Sequence, residues 1–322
     1  MNIKIYDSLR RNAPTSGYGL MAYQFGERLK KYGHIVRYFD EDRVSEADIH
    51  LWIRPPHYIK EAYFDPNKLN VFFTMHESET FLGWKSDWPA LLNKCKAVIV
   101  PTEWNKKVFA KSGVTVPLYT VPLGVDDRIF IGYKHSRYSV LSVFDGLGSD
   151  SSRDDWRGMI RAFYKAFYDH KHTKVVYSIK SWRIDYDKYQ KFLEDTISSF
   201  GYKRHLLPVV SVHELDLTPA DMNLFYSRHH SFVKASAGEG WSLPTLEALS
   251  SGLKIISKRT PAMLTYLNED NADFFETEDQ LANVFREHYK VYKKQKAVSS
   301  LWSWREAAKK LDLVLREIQN NG

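Results

Sequence analysis

Ala237-Gly238-Glu239-Gly240-Trp241-Ser242-Leu243-Pro244-Thr245-Leu246-Glu247-Ala248-Leu249-Ser250-Ser251-Gly252 carries two carboxylates, separated by seven residues, across a turn that opens a helix. Ser242 or Thr245 can cap that helix and Pro244 is tolerated in its first turn, so backbone N–H groups near Trp241 to Leu243 can face an anionic diphosphate. Glu239, on the loop, can grip sugar hydroxyls. Glu247, more than one turn inside the helix, can accept hydrogen bonds from a ribose diol. Two solvated glutamates beside an ordinary amphipathic helix would show the same spacing. The apolar strand Ser231–Lys234 feeds this turn, and strand, turn and helix in that order are the repeating unit of a parallel α/β sheet.

Outward from the turn, the same alternation runs almost from end to end. Toward the amino terminus it predicts strands at Ser139–Phe144, Lys174–Ile179 and Leu206–Val210, with helices at Trp156–Asp169, Tyr186–Phe200 and Ala220–Ser227. Beyond the turn it predicts the helix Leu243–Ser251, the strand Lys254–Ser257 and the helices Glu278–Tyr292 and Ser303–Ile318. An earlier series has strands at Ile3–Tyr6, Ile35–Phe39, Ile49–Ile53, Val71–Thr74, Ala97–Val100 and Leu118–Val121, and helices at Leu20–Lys31, Trp88–Asn93 and Asn105–Lys111. The polar segment Gly132–Ser136 separates the two series, so two doubly wound domains are expected, 1–131 and 132–322. The last helix, from about residue 303, is expected to return to the first domain. Ligands of such sheets bind outside the carboxyl ends of the strands, and two domains of this kind would enclose a central cleft there.

Composition agrees with a globular chain. At 322 residues and 43% hydrophobic content there is material for two cores. The single cysteine, Cys95, excludes an internal disulfide framework and a cysteine zinc site, which suits a reducing, cytoplasmic setting. Its neighbours Lys94 and Lys96 could lower the thiol pKa, although a buried structural cysteine is the simpler expectation. No apolar run approaches the roughly twenty residues that span a bilayer, and the start Met1–Asp7 lacks the apolar core of a secretory signal. A net charge of +7 favours an anionic partner, whether a nucleotide, a nucleic acid or an acidic surface. Arg286, Lys290, Lys293, Lys294 and Lys296, with Tyr289 and Tyr292, could track phosphates or simply form a solvated helix face.

Other candidate groups lie near predicted strand ends. Gly17-Tyr18-Gly19 can bring backbone close to a phosphate or sugar, or make a plain tight turn, and Ala22 stands where the dinucleotide fingerprint needs a third glycine. His76 follows the strand Val71-Phe72-Phe73 and can donate to a sugar hydroxyl or carbonyl, while Glu77 suits a structural ion pair. Arg153, Arg157 and Lys180 are cations that can neutralise a diphosphate leaving group, or else surface charges. No metal-ligand spacing appears, His229-His230 being adjacent and divergent, nor does an ATPase phosphate loop or a serine hydrolase elbow.

Taken together, the chain resembles the retaining glycosyltransferases of the GT-B fold, in the group of family 4 type. The resemblance rests on Glu239 to Glu247, with Gly240, Leu243, Pro244 and the downstream Gly252. It extends to Gly17-Tyr18-Gly19, the Glu77 to Trp88 stretch, Val100-Pro101-Thr102-Glu103-Trp104-Asn105, Val121-Pro122-Leu123-Gly124-Val125-Asp126 with Phe130, and Ser303-Trp304. It implies two Rossmann-like domains, an amino-terminal one for the acceptor and a carboxy-terminal one for a nucleotide-diphosphate-sugar donor, with no cofactor and no metal. It further implies that Glu239 contacts the donor sugar, Glu247 the ribose, and the N–H groups around Trp241, Ser242 and Leu243 the sugar and phosphates. The resemblance also suggests that Arg157 takes the place of the family's phosphate-binding lysine, with Lys180 as a second cation and Arg153 competing for one of these roles. His76 matches a histidine near the anomeric centre, though its neighbours depart from the commoner His-Asp pattern. The acceptor is left open among a glycan, a lipid, a small molecule and a hydroxymethylated pyrimidine of phage DNA. A non-catalytic nucleic-acid or nucleotide-sugar binder on the same fold is the rival from another class.

Overall fold

The computed structural model describes residues 1–6, 16–39, 46–59, 64–65, 67–81, 87–126, 136–169, 174–292 and 302–321. It divides into two units: Met1–Asp127 with Glu239–Leu243 and Leu301–Gly322, and Arg128–Gly238 with Pro244–Ser300. The expected boundary at 131, Phe130, part of the Glu77 to Trp88 stretch, and Lys293, Lys294 and Lys296 lie outside the described residues.

The first unit holds a six-stranded parallel sheet in the order β2-β1-β3-β4-β5-β6, formed by Asn2–Tyr6 (β1), Ile35–Tyr38 (β2), Ile49–Ile53 (β3), Asn70–Phe73 (β4), Ala97–Val100 (β5) and Leu118–Thr120 (β6). The sequences Ile49-His50-Leu51-Trp52-Ile53 and Ala97-Val98-Ile99-Val100 are buried at every position, as strands covered on both faces must be. Its helices are Gly17–Lys31 (α1), Trp88–Leu92 (α2), Glu103–Lys111 (α3) and Trp304–Asn320 (α9). Phe25 of α1 meets Trp304 of α9 edge to face at 5.4 Å, which seats the last helix on the first. The approach is close at Gly124, where an added Cβ would sit 2.2 Å from the Ser303 carbonyl carbon. Here Val125 N–H donates to Trp302 O, and Trp304 N–H donates back to Val125 O, each at 3.0 Å.

The second unit holds another six-stranded parallel sheet, in the order β12-β11-β10-β7-β8-β9. Its strands are Ser139–Val143 (β7), Val176–Lys180 (β8), Val209–His213 (β9), Ser231–Lys234 (β10), Lys254–Ser257 (β11) and Ala272–Phe274 (β12). The helices are Trp156–Phe167 (α4), Tyr186–Ser199 (α5), Pro219–Ser227 (α6), Leu243–Ser250 (α7) and Glu278–Val291 (α8). Side-chain caps start most of them: Asp155 accepts from Gly158, Asp185 from Lys188 and Thr218 from Asp221, while Thr277 and Gln280 close a capping box. The core gathers Trp156, Ile160 and Phe163 of α4, Tyr177 and Ile179 of β8, and Phe285 of α8.

Three local expectations change. The strand expected at Leu206–Val210 begins only at Val209, because 204–206 form a 3-10 turn and Pro208 then has no N–H to give a ladder. β12 was not anticipated. And α1 starts at Gly17 rather than Leu20, since Ser16 caps it by accepting from Gly19 N–H.

Candidate active site

In the second unit the chain reverses its direction across the sheet between the neighbouring strands β7 and β10, the position at which open α/β sheets bind ligands outside their carboxyl ends. The segment leaving β10 is held there by backbone pairing. Asp155 N–H donates to Ala235 O at 3.0 Å and Ala237 N–H to Arg153 O at 2.9 Å, with a bridge between Asp154 and Ser236. Beneath this pairing Lys234, the last residue of β10, meets Asp154 at 3.0 Å, both side chains buried. Arg153 is thereby carried to Gly238, the residue before Glu239, and its Nη1 donates to the Gly238 carbonyl at 3.4 Å.

Lys180 ends β8 in register with Val143 and His213. It is buried, with its ammonium 3.7 Å from the centre of the Trp182 ring, a cation–π stack. Burial holds its pKa below the ordinary lysine value, and the charges of Asp216 and Glu247 pull it back up. Glu247 on α7 keeps a partly exposed edge, yet the protein packed around it pushes its carboxyl up to about 7, against the opposing pull of the Tyr226 hydroxyl and Lys180. Tyr226 on α6 is fully buried, and its hydroxyl faces this carboxyl without meeting any partner at full hydrogen-bond geometry. A carboxyl that changes charge near neutrality beside a desolvated ammonium suits a polyhydroxylated anion.

Arg157, in the first turn of α4, is placed differently. Its guanidinium lies 4.3 Å from the Trp156 ring centre and pairs with Asp150 at 2.6 Å, where Lys188 also binds at 3.2 Å.

Glu239–Leu243 count with the first unit, and the turn is built there. Glu239 is buried. Gly240 packs so closely on Met75 that an added Cβ would sit 2.6 Å from Met75 Cγ, and its carbonyl accepts from Asn105 Nδ2 at 3.1 Å. Trp241 is buried with its ring 5.7 Å from that of Trp302, edge to face. Ser242 has φ of 66°, and it is the one non-glycine residue in the left-handed region among the described residues. Of the two cap candidates, Ser242 precedes α7 with a left-handed backbone, where an N-cap is ordinarily extended, and Thr245 lies inside the helix. Such a backbone costs a side-chain-bearing residue about 1–2 kcal/mol.

His76 is buried beside the rings of Phe81 and Trp88, with Nε2 2.9 Å from Thr80 O. A carbonyl only accepts, so Nε2 carries a proton and gives it to Thr80. Gly17 and Gly19 form the first turn of α1, and the Gly19 N–H is taken by Ser16 Oγ at 3.2 Å. Leu243 lies on that side, its Cδ1 4.0 Å from where a Cβ on Gly17 would stand.

Arg286 donates to Lys165 O and Ala166 O at 2.7 and 3.3 Å, and the Tyr289 and Tyr292 rings pack on Tyr138 at 5.8 and 5.5 Å. These groups tie the carboxyl end of α8 to its own core, while Lys290 is exposed beside Glu287. Cys95 is buried and its thiol is pushed up to about 12, opposite to the lowering its lysine neighbours suggested. Among the described residues no group of three or more His, Cys, Asp or Glu could hold a metal ion, and no helix is long and apolar enough to cross a membrane. Asn105, Tyr226 and the Lys234–Asp154 pair were not singled out in the sequence. Only Asn105 carried a signal, as the end of the Val100–Asn105 stretch.

No protein-family model matches this chain, and no curated protein sequence matches it. Solved structures do. Sucrose-phosphate synthase from Thermosynechococcus elongatus superposes with a TM-score of 0.68 at 11% identity, covering 100% of both chains. Trehalose 6-phosphate synthase from Burkholderia multivorans gives 0.68 at 10% identity over 99% of each chain. HepE of Anabaena, in complex with UDP-glucose, gives 0.65 at 11% identity over 98% of this chain and 100% of its own. At such identities the likeness establishes the fold, and that fold is GT-B.

Proposed function

We propose that this chain is a retaining glycosyltransferase that moves a sugar from a nucleotide-diphosphate-sugar to an acceptor hydroxyl on a glycan, lipid or small molecule, without a bound divalent metal. The observation that carries the reading is the Glu239–Glu247 turn, which springs from the switch point of the second sheet and brings Glu247 beside Lys180 and Tyr226. HepE, of like fold, holds UDP-glucose, which supports a nucleotide sugar as the donor.

On this reading Glu247 binds the ribose diol and Glu239 the sugar hydroxyls, so Glu239 positions the donor rather than attacking it. The N–H groups of Trp241 to Leu243 meet the sugar and phosphates. Lys180 and Arg157 stabilise charge on the diphosphate as its bond to the anomeric carbon breaks. The acceptor attacks the face that the diphosphate leaves, its proton passing to a donor phosphate oxygen, with His76 near that carbon. The test is donor turnover over a panel of UDP-, GDP- and ADP-sugars. Glu239→Ala and Arg157→Ala are each expected to lose most transfer activity with the fold intact. An unchanged rate in either removes that residue from the mechanism.

A further inference from the structure

We propose that Asn105 is a positioning residue for this reaction, using one carboxamide to hold the backbone of His76 and the carbonyl of Gly240 in a single fixed relation. The proposal rests on the functional reading above. Asn105 is wholly buried in the first turn of α3, where Thr102 Oγ1 accepts its backbone N–H at 2.9 Å. Its Oδ1 accepts the His76 N–H at 2.8 Å, and its Nδ2 donates to Gly240 O and to Thr102 Oγ1, both at 3.1 Å.

The chemistry of the partners fixes the amide's orientation: an N–H requires the oxygen and a carbonyl requires the nitrogen. Both amide hydrogens and the oxygen are used. Thr102 locks the amide plane from the third side, so neither arm can swing without breaking the others. The Met75 side chain wedged against Gly240 belongs to the residue before His76, and it makes a second contact between the same two segments. The tilt of the Gly240 carbonyl sets the peptide that carries the Trp241 N–H, the first of the groups assigned to the donor. The His76 N–H sets the backbone from which that ring projects. Small misplacements of such groups are costly to rate, since reacting atoms must be held in line.

Aspartate in place of Asn105 separates the two arms. It keeps an acceptor for His76 but turns an oxygen toward the Gly240 carbonyl, whereas alanine removes both. A matched control exists in Asn70, equally buried at the amino end of β4, which accepts from Trp52 Nε1 at 2.8 Å and donates to Asp65 O and Lys68 O at 2.7 and 3.0 Å. Asn105→Ala and Asn105→Asp are expected to lower kcat/KM by about tenfold or more and to weaken UDP binding. Asn70→Ala is expected to lose comparable thermal stability with kcat/KM within about twofold of the parent. Amide hydrogen exchange at Trp241 to Leu243 should quicken in Asn105→Asp and not in Asn70→Ala. The proposal is overturned if Asn105→Asp keeps the parent's kcat/KM, or if exchange at those amides is unchanged. Should the parent transfer no sugar from any donor, the functional reading fails on its own, and unchanged or quickened exchange still decides whether Asn105 sets the turn.

Discussion

Replacing Glu247 with glutamine tests the electrostatics of the site without changing its shape. Burial holds this carboxyl near 7 in the folded chain, against an ordinary value of 4.5. The folded state therefore binds the Glu247 proton more tightly than the unfolded state does. That preference stabilises the fold fully below pH 4.5, is lost as pH rises toward about 7, and is gone above it. The gap of about 2.5 pH units, at about 1.4 kcal/mol each, amounts to about 3 kcal/mol. The exposed edge of the side chain lets water relieve part of the burial, so a realised change of about 1.5–3 kcal/mol is expected.

Glutamine stays neutral throughout. Urea unfolding of parent and Glu247→Gln should accordingly give a stability difference that moves by this amount in favour of the variant between pH 4.5 and pH 8, all other titrations cancelling between the two proteins. Carbon NMR of the labelled carboxyl checks the same quantity directly. A flat difference across that range, or a carboxyl titrating near 4.5, refutes the reasoning. The same ionisation should show in binding, because the charged carboxylate is the better acceptor for ribose hydroxyls. The terminal phosphate of UDP also ionises at about pH 6 for both proteins, so the expected result is a rise in the parent's UDP affinity relative to that of the variant from about pH 5.5 to 7.5.

Ser242→Gly removes the side-chain cost of φ at 66° but adds chain freedom to the unfolded state. The net expectation is a gain of up to about 1 kcal/mol in thermal unfolding, and a loss of more than about 1 kcal/mol would show that the Ser242 side chain contributes more than its backbone costs. Lys234→Met leaves Asp154 in a buried setting without the ammonium at 3.0 Å and should cost about 3–5 kcal/mol. Adding Asp154→Leu should restore much of that loss, and a double variant no more stable than the single one contradicts the pairing.

What the sequence made legible follows from how parallel sheets bury their strands. Runs such as Ala97-Val98-Ile99-Val100 announce themselves because both faces must be apolar, whereas β12, Ala272-Asp273-Phe274, is a three-residue edge strand with no apolar run to announce. Leu206-Leu207 imitated a strand start, and Pro208 was the residue that should have moved it. The apolar periodicity of the first helix is plain only from Leu20, but Ser16 supplies the cap that lets the helix begin at Gly17. At the site, the spacing of Glu239 and Glu247 was readable because it is local. The Asn105 to Gly240 hydrogen bond spans 135 positions, and the Tyr226 hydroxyl beside Glu247 joins two different helices, so neither leaves a pattern in the chain.

The competition between Arg153 and Arg157 for the leaving group turns on what each must give up. Arg153 follows from the backbone pairing of 153–155 with 235–237, and its guanidinium donates to a carbonyl of the turn itself. Drawing it toward a phosphate would loosen the segment that presents Glu239. Arg157 gives up only a solvent-facing pair with Asp150, a contact of the kind that contributes about 0–1 kcal/mol, and Lys188 remains to hold Asp150 at 3.2 Å. Its stack on Trp156 does not depend on Asp150 and can keep the guanidinium plane oriented through the exchange. If the proposed reading holds, the smaller loss falls to Arg157 at the diphosphate while Arg153 holds the turn, and a larger loss of donor affinity in Arg153→Ala than in Arg157→Ala would reverse that order.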